Sequence, residues 1–465
     1  MSQDPALLSA VELVDLYRAR KLSPVEVTKA ALARIEKHNP RLNAFCLVDE
    51  PGALAAARAS EERWAKGRPQ GRVDGVPATV KDLLITKGWA TLRGSKAVDP
   101  KQTWAEDAPT VARLREEGAV LLGKTTTPEF GWKGVTDSPL TGITRNPWNP
   151  EKTPGGSSGG AAVAAACGMG ALHLGTDGGG SIRIPAGFTG IVGLKQSYGR
   201  VPASPPSPFG TLAHVGPMTR TVADAALMLS VIARPDTRDW YAYPYDGRDY
   251  LEGLEGGVKG WRIAFSPTLG GHTVEPEIAK LVARAAAAFR ELGATVEEVD
   301  PEIGPDCGLI FANHWFPGAA NALRVYSAEQ QAVMDPGLRE IAAAGAKLPL
   351  MDYLAAVKER EQLGVRMNRF HETWDLLLTP TLPLAAFAAG IEVPVKTDGS
   401  HWTDWTPFTY PFNLTRQPAA TVPCGLTSAG LPAGLQIVGP SHGDVAVLRA
   451  ARAYEKLRPF TLPPI

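Results

Sequence analysis

The spacing of hydrophobic positions changes once along the chain. Over residues 1–70 it is helical. Ser9 with Glu12, and Ser23-Pro24-Val25-Glu26, are capping boxes at helix starts. Val25, Ala31, Leu32 and Ile35 form an apolar stripe that Asn39-Pro40 is expected to end, and an Ala-rich helix is expected over Gly52–Lys66. From about Gly71 short apolar runs alternate with glycine-rich loops and helices. Gly75–Val80 reads as a strand leading into Lys81-Asp82, Ala108–Glu117 as a helix stopped by Gly118, and Ala119–Leu122 as a buried strand. Gly160–Ala171 suits a helix of small residues packed closely on its neighbours. Residues 235–257 form a polar, aromatic connector. Beyond it, Trp261–Phe265, Glu275–Leu292 and Ala294–Val299 read as one βαβ unit. A helical stretch over Leu350–Trp374 precedes a strand at Leu376–Leu378. This alternation argues for an α/β layered sheet.

Composition narrows the function classes. Lys plus Arg and Asp plus Glu number 48 each in 465 residues, so no basic footprint points to nucleic acid. The 48 Gly and 40 Pro follow no collagen-like period and imply many loops, where chemistry tends to sit. Cys46, Cys167, Cys307 and Cys424 have no metal-ligand spacing and read as free thiols in a reducing compartment. The N-terminal residues carry acids early and lack an apolar core, and Ala161–Leu174 is too short and weak to span a bilayer. No membrane association is expected, and the default location is cytoplasmic.

Two motif matches mislead. Gly118–Thr125 fits the phosphate-loop pattern, but a helix precedes Gly118 and the strand lies inside the pattern, the reverse of what phosphate binding needs. Gly155-Gly-Ser157-Ser-Gly159 fits the nucleophile elbow, yet the three prolines in Arg145–Pro154 rule out the central strand an elbow follows. His442 is among the histidines available to such an elbow, which is a poor reading all the same.

More telling are two glycine-flanked serines, in Pro154–Gly160 and in Gly175-Thr-Asp177-Gly178-Gly179-Gly180-Ser181-Ile-Arg183-Ile-Pro-Ala186. Successive N–H groups of Gly178, Gly179, Gly180 and Ser181 can converge as an anion-binding nest, and a serine there can attack a carbonyl whose oxyanion the nest holds. Glycine-rich loops are more often mere linkers.

These runs resemble the hallmark of the amidase signature family, GGSSGG followed by GTDxGGSIRxPA, with Ser157 and Ser181 at the family's spacing. Gly75–Asp82, Gly123–Gly131, Gly193–Lys195, Gly216–Met218 and Gly430–Gly439 also look like the family, so the likeness runs to about residue 443. The resemblance implies an α/β fold: a single large domain with a central mixed, mostly parallel β-sheet covered by helices on both faces. It would divide into N-terminal helices (1–70), a signature core (71–235) and a C-terminal part completing sheet and pocket (236–465). It further implies Ser181 as nucleophile, Lys81 as base and Ser157, after a cis peptide bond, as the bridge, with neither metal nor organic cofactor. Lys81 could act only if the site lowers its pKa from about 10.4. Ser158, Asp177 and Arg183 are expected to support the site, the last two as an ion pair holding the nest.

The expected substrate is a small-molecule amide. A concentration of aromatics over Trp402–Phe412, including Trp405 and Tyr410, suggests an apolar or aryl group, with Phe130, Trp132, Trp315 and Phe316 as further wall candidates. Core packing would account for the same residues. The family also contains the glutamine-hydrolysing A subunit of the tRNA-dependent amidotransferase. Against that reading, Ala342–Asp352 lacks the Arg- and Tyr-bearing pattern expected there, and Phe408–Phe412 has no acid to hold glutamine's amino group. The same scaffold could also serve an esterase, a urethanase or a non-catalytic binding protein. A homodimer is allowed for, although nothing in the sequence specifies it.

Overall fold

A computed structural model of the protein describes residues 4–304, 306–395 and 399–465. Both capping boxes form: Ser9 and Ser23 accept the N–H of Glu12 and Glu26, whose carboxylates reach back to the cap N–H groups. The second helix, Pro24–Leu42, runs through Pro40 instead of ending at Asn39. Proline in a last turn removes only one backbone bond. Asn39 Oδ1 then accepts the N–H groups of Ala44 and Phe45, at 2.8 and 2.9 Å, and so stops the helix three residues later.

The strands are β1 Phe45–Val48, β2 Pro77–Lys81, β3 Val120–Thr125, β4 Asp137–Ser138, β5 Gly142–Ile143, β6 Leu172–Asp177, β7 Val192–Lys195 and β8 His214–Thr219. They continue with β9 Arg262–Phe265, β10 Thr295–Glu298, β11 Leu376–Pro380, β12 Ala419–Leu426 and β13 Pro432–Val438. Apart from the small β4–β5 pair they form one eleven-stranded sheet in the order β1-β3-β2-β6-β8-β7-β12-β13-β11-β9-β10. The sheet is mixed, as expected, but its parallel share is smaller than expected. Of its ten pairings, four are parallel: β2–β3, β2–β6, β9–β10 and β9–β11. The other six are antiparallel: β1–β3 lies at one edge, and the remaining five fill the middle of the sheet, where β12 and β13 follow each other through a short turn with no crossover helix.

One apolar core joins the sheet to helices Ala10–Arg18, Pro109–Glu116, Val222–Ile232, Pro276–Glu291 and Asp444–Leu457. On the other side lie two short, fully buried helices, Gly159–Ala166 and Arg183–Thr189. The first is shorter than the run of small residues suggests, because Gly168 and Gly170 take positive φ. It must be small, since a Cβ on Gly160 would lie 2.5 Å from the Ala44 carbonyl. A second, aromatic core links Arg183–Thr189 to the outer helices Cys307–Leu323, Pro336–Gly345 and Leu350–Phe370. Among the described residues no helix is long and apolar enough to cross a membrane.

Candidate active site

The parallel strands β2 and β6 end side by side, on Lys81 and Asp177. The crevice beyond the carboxyl ends of parallel strands is where α/β proteins usually bind ligands. Every residue of β2 is buried, and Lys81 is fully so. Its Nζ lies 2.7 Å from Ser157 Oγ, 2.9 Å from Ser158 Oγ and 2.8 Å from Thr176 Oγ1. Burial pushes the Lys81 amine well below its ordinary value, and the charge of Asp177 opposes this only in part. With no carboxylate in contact among the described residues, burial favours the neutral form of the amine.

Hydrogen counting defines the amine further. Ser158 donates its hydroxyl hydrogen to the Thr176 carbonyl at 3.0 Å and accepts the Thr176 N–H at 3.1 Å, so towards Lys81 it can only accept. A neutral amine has two hydrogens and one lone pair. One hydrogen goes to Ser158; the second and the lone pair serve Thr176 and Ser157.

Ser157 follows a cis peptide bond after Gly156. Ser181, almost fully buried, lines the same cleft as Ser157 and Thr176, and its carbonyl accepts the Ser158 N–H at 3.1 Å, tying the two serine loops together. No hydrogen bond joins the two hydroxyls of Ser157 and Ser181 themselves.

The glycine run beside Ser181 has a steric cause. A Cβ on Gly178 would lie 2.8 Å from the Trp315 ring, one on Gly179 2.7 Å from Phe311, and Gly180 has φ +131°. The expected four-donor nest needs a correction. Gly180 donates its N–H to Asp177 Oδ1 at 2.8 Å, so the groups left for an anion are those of Gly178, Gly179 and Ser181. Asp177 and Arg183 form the expected ion pair, fully buried. Arg183 also donates to Thr409 O, Gln436 Oε1 and Asn413 Oδ1, and Asn413 donates back to Asp177 Oδ1. Burial alone would raise the Asp177 carboxyl, but Arg183, with Lys195 and Asn413, outweighs it and holds the group well below the ordinary carboxylate range.

The cleft above the serines measures about 430 Å³. Phe130 and Trp315 line it as expected, with Leu83, Val201, Phe209 and Tyr326. Four expected wall residues do not. Trp132 is fully buried, and its carbonyl accepts the Trp315 indole N–H at 3.1 Å. Trp405 is stacked on Phe188 behind the site. Tyr410 stacks on Phe311, backing the glycine run. Phe316, next to Trp315 on its helix, is turned about 100° away and packs on His401. In their stead the far wall is the loop over residues 202–208 and the connector, which brings Trp240 and Tyr241 to the mouth with ring centres 4.3 Å apart. The proline-rich composition of 202–208 is the signal in the sequence for a preformed wall. The place of Thr176 inside the glycine-serine motif is the signal for the third hydroxyl. The lysine of the misleading phosphate-loop match, Lys124, is buried within β3 and paired with Asp82 at 3.2 Å.

Comparison with known proteins shows the family. The Amidase family model matches residues 26–448. An acylamidase of Rhodococcus erythropolis is 38% identical over 97% of this chain and 96% of its own length. The A subunit of a glutamyl-tRNA(Gln) amidotransferase of Myxococcus xanthus is also 38% identical, over 97% and 98%. The crystal structure of a bacterial aryl acylamidase of the amidase signature family superimposes with a TM-score of 0.90 at 35% identity, covering 97% of this chain and 96% of that one. The chain belongs to the amidase signature family and is a hydrolase of amide C–N bonds.

Proposed function

We propose that the protein is a stand-alone amidase that cleaves apolar or aryl amides through an acyl-enzyme on Ser181. The observation that carries this is the buried Lys81 amine in contact with three hydroxyls, of which that of Ser157 faces the cleft beside Ser181. With Ser158 and Thr176 accepting its two hydrogens, the lone pair of Lys81 is aimed at the Ser157 hydroxyl. Ser157 then takes the proton of Ser181 as that oxygen attacks the carbonyl. The N–H groups of Gly178, Gly179 and Ser181 hold the developing oxyanion. Ser157 returns a proton to the leaving nitrogen, and Lys81 restores it. Water then enters where the amine has left, and the same relay hydrolyses the ester.

The apolar walls support an apolar or aryl group, as does the likeness to an aryl acylamidase. Equal similarity to the A subunit of an amidotransferase keeps a glutamine-hydrolysing role as the second reading. Assay of the wild type and Ser181→Ala against aryl amides, aliphatic amides, aryl esters and glutamine decides. Aryl-amide turnover lost by at least about 1,000-fold in the variant supports the proposal. Turnover of glutamine alone would transfer the protein to the second reading, and full activity in Ser181→Ala would remove the nucleophile.

A further inference from the structure

Arg93 stands on the wall of the same cleft as Ser157 and Ser181. It is half-buried, yet its guanidinium has no hydrogen bond, ion pair or ring contact among the described residues. The other charged residues lining the cleft are occupied. Arg238 is clasped by Asp236 at 2.8 and 2.9 Å and by Glu106 at 3.0 Å. The Asp239 carboxylate accepts the N–H groups of Ala203 and Tyr241, each at 2.9 Å.

The backbone holds this arginine firmly. Its φ is +57°, in the left-handed region that residues other than glycine enter only where their surroundings enforce it. The Arg93 carbonyl accepts the Phe130 N–H at 2.8 Å, and Gly94 donates to Asp82, the residue after the catalytic lysine candidate, at 3.3 Å. Phe130 is itself left-handed, at φ +52°, and a Cβ on the following Gly131 would lie 3.3 Å from Ser157 Oγ. The turn that presents Arg93 and the segment beside Ser157 are thus one braced unit.

A guanidinium offers a planar fork of N–H donors matched to a carboxylate, and partial burial strengthens the attraction. From this we infer that Arg93 is an anion-recognition residue of the active cleft, and that the preferred substrates are amides carrying a carboxylate. The inference rests on the amidase reading above and narrows its substrate class.

The test uses two matched series of amides. In one the acyl side varies: succinyl, succinamoyl and 4-aminobutanoyl p-nitroanilides. In the other the amine side varies: butyryl amides of 4-aminobenzoate and of 4-aminobenzamide. Wild type, Arg93→Gln and Arg93→Lys are compared. The wild type should prefer the carboxylate member of at least one series by about 10- to 100-fold in kcat/KM. Arg93→Gln should abolish that preference through KM, costing carboxylate members at least about 10-fold more than neutral ones, Arg93→Lys should keep part of it, and added salt should weaken it. Equal use of carboxylate and neutral members by the wild type would overturn the inference and leave the amidase reading intact. So would an equal loss on all substrates in Arg93→Gln, which signifies a structural role. If no amide in either series is cleaved, both readings fall.

Discussion

Among the described residues Lys81 is an amine coordinated by hydroxyls alone, and its chemistry follows from that. Because burial lowers its pKa, kcat/KM should rise with pH through the lowered value and level off well before the ordinary lysine range. A profile still climbing at pH 10 would contradict this. In the protonated form three hydroxyls can accept from the ammonium, so removing one weakens the charged state. Thr176→Val should therefore move the acidic limb down by about one pH unit and lower kcat, each read from the same profile. The candidates Lys81, Ser157 and Ser181 can be picked out in the sequence because they sit in contiguous motifs. The commitment of the Gly180 N–H to Asp177 cannot, since it depends on where a side chain three residues away turns.

At the scale of elements, the glycine run Gly178–Gly180 is a surface that aromatic rings rest on. Gly179→Ala should force its Cβ into Phe311 and Trp402, displacing the donors beside Ser181. Activity should fall about 100-fold, with a stability loss of about 1–3 kcal/mol in urea unfolding. At the mouth, Trp240 is 79% exposed and touches no core, so Trp240→Ala should raise KM for bulky aryl amides while acetamide turnover and Tm stay unchanged. The βαβ unit of β9 and β10 is readable because its pattern is local. Sheet order is not, because β7 pairs with β12 across more than 200 residues of sequence. Nor are the inward turns of Trp132 and Tyr410, which depend on packing between distant helices.

Over the whole molecule, the sheet strands up to β8 and the later strands β9–β13 meet along β7–β12, and the same two stretches of chain meet again at Arg183. Leaving either charge of the Asp177–Arg183 pair alone in a fully buried place should be severe. Arg183→Met should cost about 3–5 kcal/mol in urea unfolding, whereas an exposed pair such as Arg18–Asp15 should be nearly silent when broken. Asp177 also sets an acid limit. Its folded pKa is depressed, so the stability it gives is complete above the ordinary carboxylate range and is lost as pH falls below it. Thermal melts between pH 7 and 3 should record that loss as a declining Tm, smaller in Asp177→Asn.

The clasp on Arg183 has a consequence for the order in which the protein comes into being. Lys81, Ser157 and Ser181 all precede residue 182, but Thr409, Asn413 and Gln436, which fasten the arginine, emerge from the ribosome hundreds of residues later. A nascent chain of 400 residues therefore already carries all three proposed catalytic side chains, while the groups that fasten Arg183 are still untranslated. If these residues act as proposed, a chain stopped at residue 400 should show no hydrolase activity, and activity should come only once β12 and β13 have joined the sheet.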